Sequence, residues 1–311
     1  MADETAKPEE TAKPEEGAKP EEAAGGEQEE EETRGRPAAE PHPPAAQGFN
    51  RFVWDLAYPA AKGFPGMVLW NRGLIAPLAA PGSYQVRLVA AGQSATVPFT
   101  VVRDPRSHST DADLVAQTRF LLGIRDKLDV THDALRRIRA VRAQLADLGK
   151  RLRAATATPP ADDAATTPAA SSSAAASSPA AASTSASGAA TTPASAPTDP
   201  YAAVRKASRD LDAKLTAVEE TLYQDKSHAA EDMLNYPIRL DDKLNGVAQS
   251  AALGDYRPTA QAVAVRDELV AAIDSQLARL AAILEHDVPA FNQLAAGAGV
   301  QPVIPPRPQL K

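Results

Sequence analysis

The fold is decided by residues 121–152, LLGIRDKLDVTHDALRRIRAVRAQLADLGKRL. Apolar residues recur there at seven-residue steps in two series, the second interrupted once by Thr131: Leu121, Leu128, Leu135 and Ile124, Ile138, Leu145, Leu152. Heptad spacing over about five repeats is typical of a long amphipathic helix that packs against other helices. Because Ser109 and Thr110 are suitable N-caps, the pattern predicts one helix over residues 109–154.

Three further apolar patterns, within residues 201–295, predict the partners of this helix. A second helix begins near Tyr201, a short third element contains Leu240 and Leu244, and a long fourth helix begins at Thr259. Amphipathic helices become stable when their apolar stripes cover one another, so we expect an antiparallel three- or four-helix bundle. A coiled-coil dimer formed through the first helix is the alternative.

Three segments are expected to be disordered. Residues 1–48 contain three copies of a Lys-Pro-Glu-Glu repeat and carry 14 acidic and 5 basic residues, a net charge of −9 against −7 for the whole chain. Residues 155–200 consist almost entirely of Ala, Ser, Thr and Pro, and residues 296–311 are rich in Pro. An acidic arm, a linker and a tail of this composition offer too little apolar surface to offset the entropy of folding.

Residues 49–106 predict a small β domain. Residues 52–56 and 67–70 are short apolar runs of the kind found in strands. Residues 83–89 alternate, with Tyr84, Val86 and Leu88 on one face, and residues 96–102 are the expected hairpin partner. Alternation of this kind indicates an antiparallel sheet with one buried face, and the turn spacing fits a small β-sandwich.

Several short motifs in this order carry a resemblance. The run Gly48-Phe49-Asn50, then Trp54-Asp55 and Pro81-Gly82-Ser83-Tyr84, resembles the Ig-like module of flagellar hook-capping proteins. The chain is more closely similar to the C-terminal region of large bacterial proteins with sortilin-like, BNR-type β-propellers, often labelled glycosyl hydrolase-like. That similarity rests on Tyr58-Pro59, Leu69-Trp70, Arg103-Asp104-Pro105-Arg106, Tyr236-Pro237-Ile238-Arg239-Leu240 and Arg257-Pro258-Thr259.

The resemblance implies a multidomain α and β protein, with an Ig-like β-sandwich followed by the antiparallel helical bundle. It does not extend to the propeller, because the sequence contains no Asp-box turn of the kind that marks propeller blades. The glycosidase label belongs to the propeller, so the resemblance assigns no catalytic residue to this chain.

The sequence contains no motif that indicates a catalytic, cofactor-binding or metal-binding residue. The chain has no cysteine, which excludes disulfides, thiolate metal sites and a cysteine nucleophile. Its five His residues lack metal-type spacing, and the adjacent carboxylates Asp241 and Asp242 point in different directions on a helix. The Arg-rich face of the first helix is interleaved with acids and lacks aromatic residues, so we expect no nucleic-acid partner. No apolar run is long enough to predict a membrane span.

Two sets of residues are candidate binding sites. Tyr236, Arg239, Tyr256 and Arg257 lie in two predicted loops, and aromatic and Arg residues are favoured as interface anchors, although internal packing and capping are an alternative. Trp54 and Trp70 could form a glycan platform, but aromatic residues beside Val and Leu in a small β domain are more often core.

We therefore expect a non-catalytic interaction or scaffold module rather than an enzyme. Its partner would be another protein or an upstream propeller of its own polypeptide. A carbohydrate-binding module and an accessory part of a glycoside hydrolase-like enzyme are the alternatives. If Met1 lies within a longer reading frame, the acidic repeat would join the propeller to the β domain of an exported protein; a complete chain would be cytoplasmic.

Overall fold

A computed structural model describes residues 43–70, 73–157 and 199–308, which form one two-stranded sheet and four helices. Most of the acidic arm and of the Ala/Ser/Thr/Pro linker lies outside these ranges, so the expectations for them stay predictions. The first three helices are α1 (Asp111–Ala157), α2 (Ala202–Leu222) and α3 (Leu240–Ala251). The fourth consists of α4 (Ala260–Ala282), a π-helical turn (Ile283–Asp287) and α5 (Val288–Gly297). A short 3₁₀ turn, Ala230–Leu234, precedes α3.

The helices pack as three rods. The first rod is α1. Its residue Arg142 pairs with Asp212 of α2 at 3.0 Å, and its residue Gln117 donates to the Ala251 carbonyl at the end of α3 at 2.7 Å. Helices α2 and α3 therefore follow one another along α1 and run antiparallel to it, as the second rod. The fourth helix returns beside α1 as the third rod, where Lys127 contacts Asp274 at 2.6 Å.

The heptad residues of α1 form the core, as the spacing predicts. All seven of them are buried: Leu121, Leu128, Leu135, Ile124, Ile138, Leu145 and Leu152. They belong to one cluster with apolar residues of the other two rods, among them Leu215, Leu222, Leu244, Ile273 and Leu280. Burial of each such side chain contributes about 1.5–3 kcal/mol, so this stripe stabilises the packing of the three rods.

The N-termini of α1 and α4 lie where their capping residues predict. The Thr110 hydroxyl accepts from the Asp113 amide, and the Asp113 carboxylate accepts from the Thr110 amide, both at 3.2 Å. This reciprocal pair satisfies amides at the start of α1 that have no partner within the helix. Thr259 caps α4 in a similar way, because its hydroxyl accepts from the Ala262 amide at 3.1 Å.

The described part of the C-terminal tail is packed rather than disordered. Residues 300–308 form no helix or strand, but Val303 is buried and both of its backbone groups bond to the Asn292 side chain. Ile304 makes two bonds with Gln144 of α1. Proline excludes regular structure here, but side-chain amides and an apolar anchor still hold Val303 and Ile304 against the bundle. Residues 309–311 lie outside the described part of the chain.

The predicted hairpin is present, as β1 (Gly82–Ala90) paired antiparallel with β2 (Gln93–Val101). Cross-strand neighbours on one face are Tyr84–Phe99, Val86–Val97 and Leu88–Ala95. Ala91 and Gly92 form the turn with φ of +49° and +76°. Positive φ at both positions is typical of the two-residue type I′ turn, whose twist matches that of the strands.

The expected sandwich is not present in the described residues. Residues 52–56 and 67–70 form no strand; an isolated bridge pairs Ala57 with Leu78 instead. Residues 67–70 belong to a segment, 61–70, in which Phe64 and Leu69 are buried and Phe64 joins the helical core, so this segment packs on the helices. The expected burial of one hairpin face also fails, because Val86 and Leu88 are 55% and 63% exposed.

Candidate functional site

A cluster of buried polar side chains lies where α2 ends and α3 begins, opposite the middle of α1. Residues 61–70, which we call the strap, cover this break in the second rod. Backbone groups of the strap bond to side chains of α1, of α3 and of the residue that follows α2. His132 Nδ1 lies 2.9 Å from the Lys62 carbonyl, the Val68 amide donates to the Tyr223 hydroxyl at 2.8 Å, and the Trp70 amide donates to Asp242 at 2.9 Å. Tyr223 directly follows α2, so the cluster ties the strap to α1, to the end of α2 and to the start of α3.

The strap fixes the tautomer of His132. A carbonyl oxygen only accepts, so the contact with Lys62 places a proton on Nδ1. His132 Nε2 then faces Asp241 Oδ2 at 3.8 Å, and the two side chains are 0% and 1% exposed. Neither atom has a hydrogen-bond partner among the described residues.

Asp242 is the second buried carboxyl group at the start of α3. Burial raises its pKa to about 6, the nearby charge of Asp241 adds to that rise, and the hydrogen bond from the Trp70 amide opposes it. A carboxyl group with this pKa is largely ionised at pH 7, at a desolvation cost.

A cation–π arrangement lies beside the cluster. The guanidinium of Arg139 is 4.6 Å from the ring centre of Phe64 and 5.1 Å from that of Tyr223. Arg139 also donates to buried Glu219 at 2.7 Å, and Arg142 binds the other oxygen of that carboxylate. Burial raises the pKa of the Tyr223 hydroxyl. Glu219 thus has two cationic partners, as a buried carboxylate needs.

The side chains of this cluster are shielded from solvent, because His132 and Asp241 are 0% and 1% exposed. A cavity beside Asn245, further along α3, has a volume of only ≈ 10 Å³, about the size of one water molecule, whereas ligand pockets measure about 300–1,000 Å³. General acid–base chemistry requires a substrate within hydrogen-bond reach of the titrating group. The arrangement is therefore suited to fixing the strap against the helices.

The hairpin face is the second candidate site. At its base the rings of Tyr84 and Phe99 stack at 5.8 Å, and Trp54 lies 6.0 Å from each. Towards the tip Val86 and Val97 are 55% and 58% exposed. The apolar face thus continues from a covered base to an open tip.

The structure separates the predicted interface residues. Arg239 directly precedes α3, close to Tyr236, whereas Tyr256 and Arg257 follow its other end. Twelve helical residues span about 18 Å, so the two pairs do not form one patch. The Tyr256 hydroxyl donates to the Ser250 carbonyl, and Arg257 pairs with Asp113 at 2.8 Å. Two of the four side chains therefore make the internal contacts that the sequence offers as the alternative.

The two Trp residues have different surroundings. Trp54 is half-buried against the hairpin, and its indole N–H donates to the Ala57 carbonyl at 2.8 Å. Trp70 is 44% exposed and lies at the end of the strap. The ring contacts of Trp54 are with Tyr84 and Phe99, so the two indoles do not stack as one platform.

Hydrogen bonds from the Thr110 hydroxyl and from the guanidinium of Arg257 hold the pKa of Asp113 at about 2.

Among the described residues, no group of three or more His, Asp or Glu side chains is placed to hold a metal ion. In the same part of the chain, no helix combines the length and apolarity needed to cross a membrane. Comparison with protein-family models, with curated proteins and with solved structures finds no match.

Sequence reasoning missed the buried polar cluster, although one signal was available. His132 follows Leu128 by four residues and precedes Leu135 by three, so it lies on the buried stripe of α1. Its partner Asp241 is more than a hundred residues away, and the pair meets only because α3 continues the line of α2.

Proposed function

We propose that the chain is a non-catalytic interaction module. In this proposal the helical bundle holds the hairpin, and the apolar face of the hairpin docks onto an apolar sheet of a partner β domain. The partner sheet would complete an Ig-like sandwich of which this chain supplies one layer. One observation carries the proposal: the face formed by Val86, Leu88 and Val97 is apolar, continuous with the Trp54 cluster, and open.

The geometry of the hairpin favours a β-sheet partner. Both strands are edges, and an isolated two-stranded hairpin is marginally stable in water. Sheets pack face to face when alternating residues of the two inner faces interdigitate. The resemblance to propeller-containing proteins offers one source of such a domain, an upstream propeller of the same polypeptide.

The buried polar cluster is consistent with a scaffold. Its polar groups bond to strap backbone, and the segment after the strap leads through residues 73–81 into β1. The Thr118 hydroxyl of α1 donates to the Leu78 carbonyl at 3.0 Å, which anchors this connection near the base of the hairpin. The hairpin is therefore presented from a fixed base.

The energy available from docking is moderate. Val86, Leu88 and Val97 are each about 60% exposed, and full burial of such a side chain contributes about 1.5–3 kcal/mol. Completing the burial of all three contributes about 3–5 kcal/mol. Association also carries entropic costs, so additional contacts along the strand edges are required for a stable complex.

Photo-crosslinking in the source cells tests the proposal. Leu88 on the apolar face and Arg87 on the opposite face are each replaced by the photoreactive residue benzoyl-phenylalanine, and the crosslinked peptides are identified by mass spectrometry. We expect Leu88, and not Arg87, to crosslink to an apolar strand of another β domain. Crosslinks to a second copy of this hairpin, equal crosslinking from both faces, or no crosslink from Leu88 would each overturn the proposal.

A further inference from the structure

A groove of ≈ 510 Å³ lies between the C-terminal part of α1 and the N-terminal half of α2. Leu145 and Leu152 contribute apolar surface to its floor. Its lining includes five basic residues, which are Arg142, Lys150, Arg153, Arg205 and Arg209, and one acidic residue, Asp212. The groove is therefore strongly positive although the chain as a whole is acidic.

Only part of this positive charge is neutralised by the described residues. Arg142 pairs with Asp212 and Glu219, and Arg205 pairs with Asp199. Lys150, Arg153 and Arg209 form no ion pair with a carboxylate in the part of the chain that the structure describes. Three cations around an apolar floor are an arrangement that fits an acidic peptide.

The chain contains a segment of matching charge. Residues 1–42 hold all 14 acidic and all 5 basic residues of the N-terminal arm, a net charge of −9, and five Glu fall within residues 27–32. A segment on the same polypeptide acts at an effective concentration in the millimolar range if it can reach the groove.

The arm is long enough to reach. Helix α1 has 47 residues and is about 70 Å long. The groove lies near its C-terminus, so the distance from the groove to the N-terminal end of α1 is at most about 70 Å. Ala57 forms an isolated β-bridge with Leu78, and the Leu78 carbonyl accepts a hydrogen bond from Thr118 near the start of α1. The chain that follows the arm therefore lies near that end of α1. Forty-two residues of extended chain span up to about 140 Å.

We propose that the groove between α1 and α2 is the docking site of the chain's own acidic arm, residues 1–42. The side chains of Lys150, Arg153 and Arg209 pair with Glu carboxylates of the arm. The contact is electrostatic, so it is strong at low ionic strength and screened at high salt. It is independent of the hairpin face and does not rest on the proposed function.

Paramagnetic relaxation tests the docking, and the absence of native cysteine makes the labelling specific. A nitroxide is attached to Ala18→Cys in the arm of the full chain, and broadening of backbone amide signals is measured by NMR. At low ionic strength we expect broadening centred on Lys150, Arg153 and Arg209, with at least severalfold less broadening at about 1 M salt, where the Debye length is about 3 Å.

Two triple variants separate specific docking from general attraction. Lys150, Arg153 and Arg209 are replaced together by Gln, which removes three charges from the groove. The control replaces Arg87, Arg119 and Lys243 by Gln, which removes the same charge from exposed positions elsewhere. Three exposed ion pairs change an equilibrium by about tenfold, so the groove variant should lose most of the broadening and the control should keep it.

Three results would overturn the inference. The first is broadening spread over the surface without a maximum at the groove. The second is an equal loss of broadening in both triple variants. The third comes from a mixture of isotope-labelled chain without nitroxide and unlabelled chain with nitroxide: broadening of the groove signals equal to that in the single chain would mean that the arm of a second copy is bound.

Discussion

Replacing Asp242 by Asn should stabilise the protein at neutral pH. The carboxyl group is buried, and its pKa is about 6 against an ordinary value of 3.8. A pKa raised in the folded state means that folding favours the protonated form. Stability therefore falls as pH rises from about 4 through 6, and the full penalty is present above pH 6.

The size of the effect follows from the shift. A pKa raised from 3.8 to about 6 corresponds to about 3 kcal/mol of folding free energy lost when the carboxyl group ionises, because one pKa unit is worth 1.36 kcal/mol. Asn is uncharged at every pH, and its side-chain oxygen can still accept from the Trp70 amide. We expect Asp242→Asn to gain up to about 3 kcal/mol at pH 7–8 and to gain little below pH 4.

Urea unfolding at pH 3.5, 5, 6.5 and 8 measures this difference at constant ionic strength. The control is Asp225→Asn, which makes the same chemical change at an exposed position and should alter stability by less than about 0.5 kcal/mol. A difference between wild type and Asp242→Asn that does not change with pH would refute the reasoning. A loss of stability on substitution at pH 8 would show that the carboxylate is favourable in the fold.

Three further substitutions test the packing of Phe64, the ion pairs of Glu219 and the turn of the hairpin. Phe64→Ala should cost about 3–5 kcal/mol in chemical unfolding because it empties the space between the strap and the helices, whereas Phe52→Ala, at an exposed position, should cost far less. Glu219→Ala should cost about 2–3 kcal/mol because Arg139 loses its carboxylate partner and Arg142 keeps only Asp212, and exposed Glu220→Ala is its control. Ala91→Gly should raise thermal stability by about 1 kcal/mol by relieving a positive φ; a loss of stability would contradict the type I′ turn.

The helices and the hairpin could be predicted from the sequence because their signals are local. The heptad series defined α1, and Thr259 marked the start of α4. Alternation over residues 83–89 and the Ala91–Gly92 turn defined the hairpin.

The strap could not be predicted in the same way. The apolar run of residues 67–70 fits the pattern of a strand, but the residues that it contacts belong to helices far away in the sequence. Phe64 contacts His132 of α1 and Tyr223 at the end of α2, and both contacts depend on the break in the second rod. The same break brings His132 and Asp241 together, so no spacing rule within either helix reveals the pair.

The two pairs of predicted interface residues lie at opposite ends of α3, which the sequence did not reveal for a related reason. Loops that follow one another in sequence are expected to be neighbours, but α3 separates residues 236–239 from residues 256–257. The buried stripe of α1, by contrast, carried enough information to place His132 in the core.

The most direct test of the account is whether the apolar hairpin face is open in the isolated chain and covered in the cell. Val97→Cys places a single thiol on that face, and Arg87→Cys places one on the opposite face, in a chain that has no other cysteine. Alkylation rates are measured for both variants in purified protein and in the source cells. The account predicts rapid alkylation of both thiols in purified protein and protection of position 97 alone in cells. Equal rates at position 97 in the two settings would contradict it.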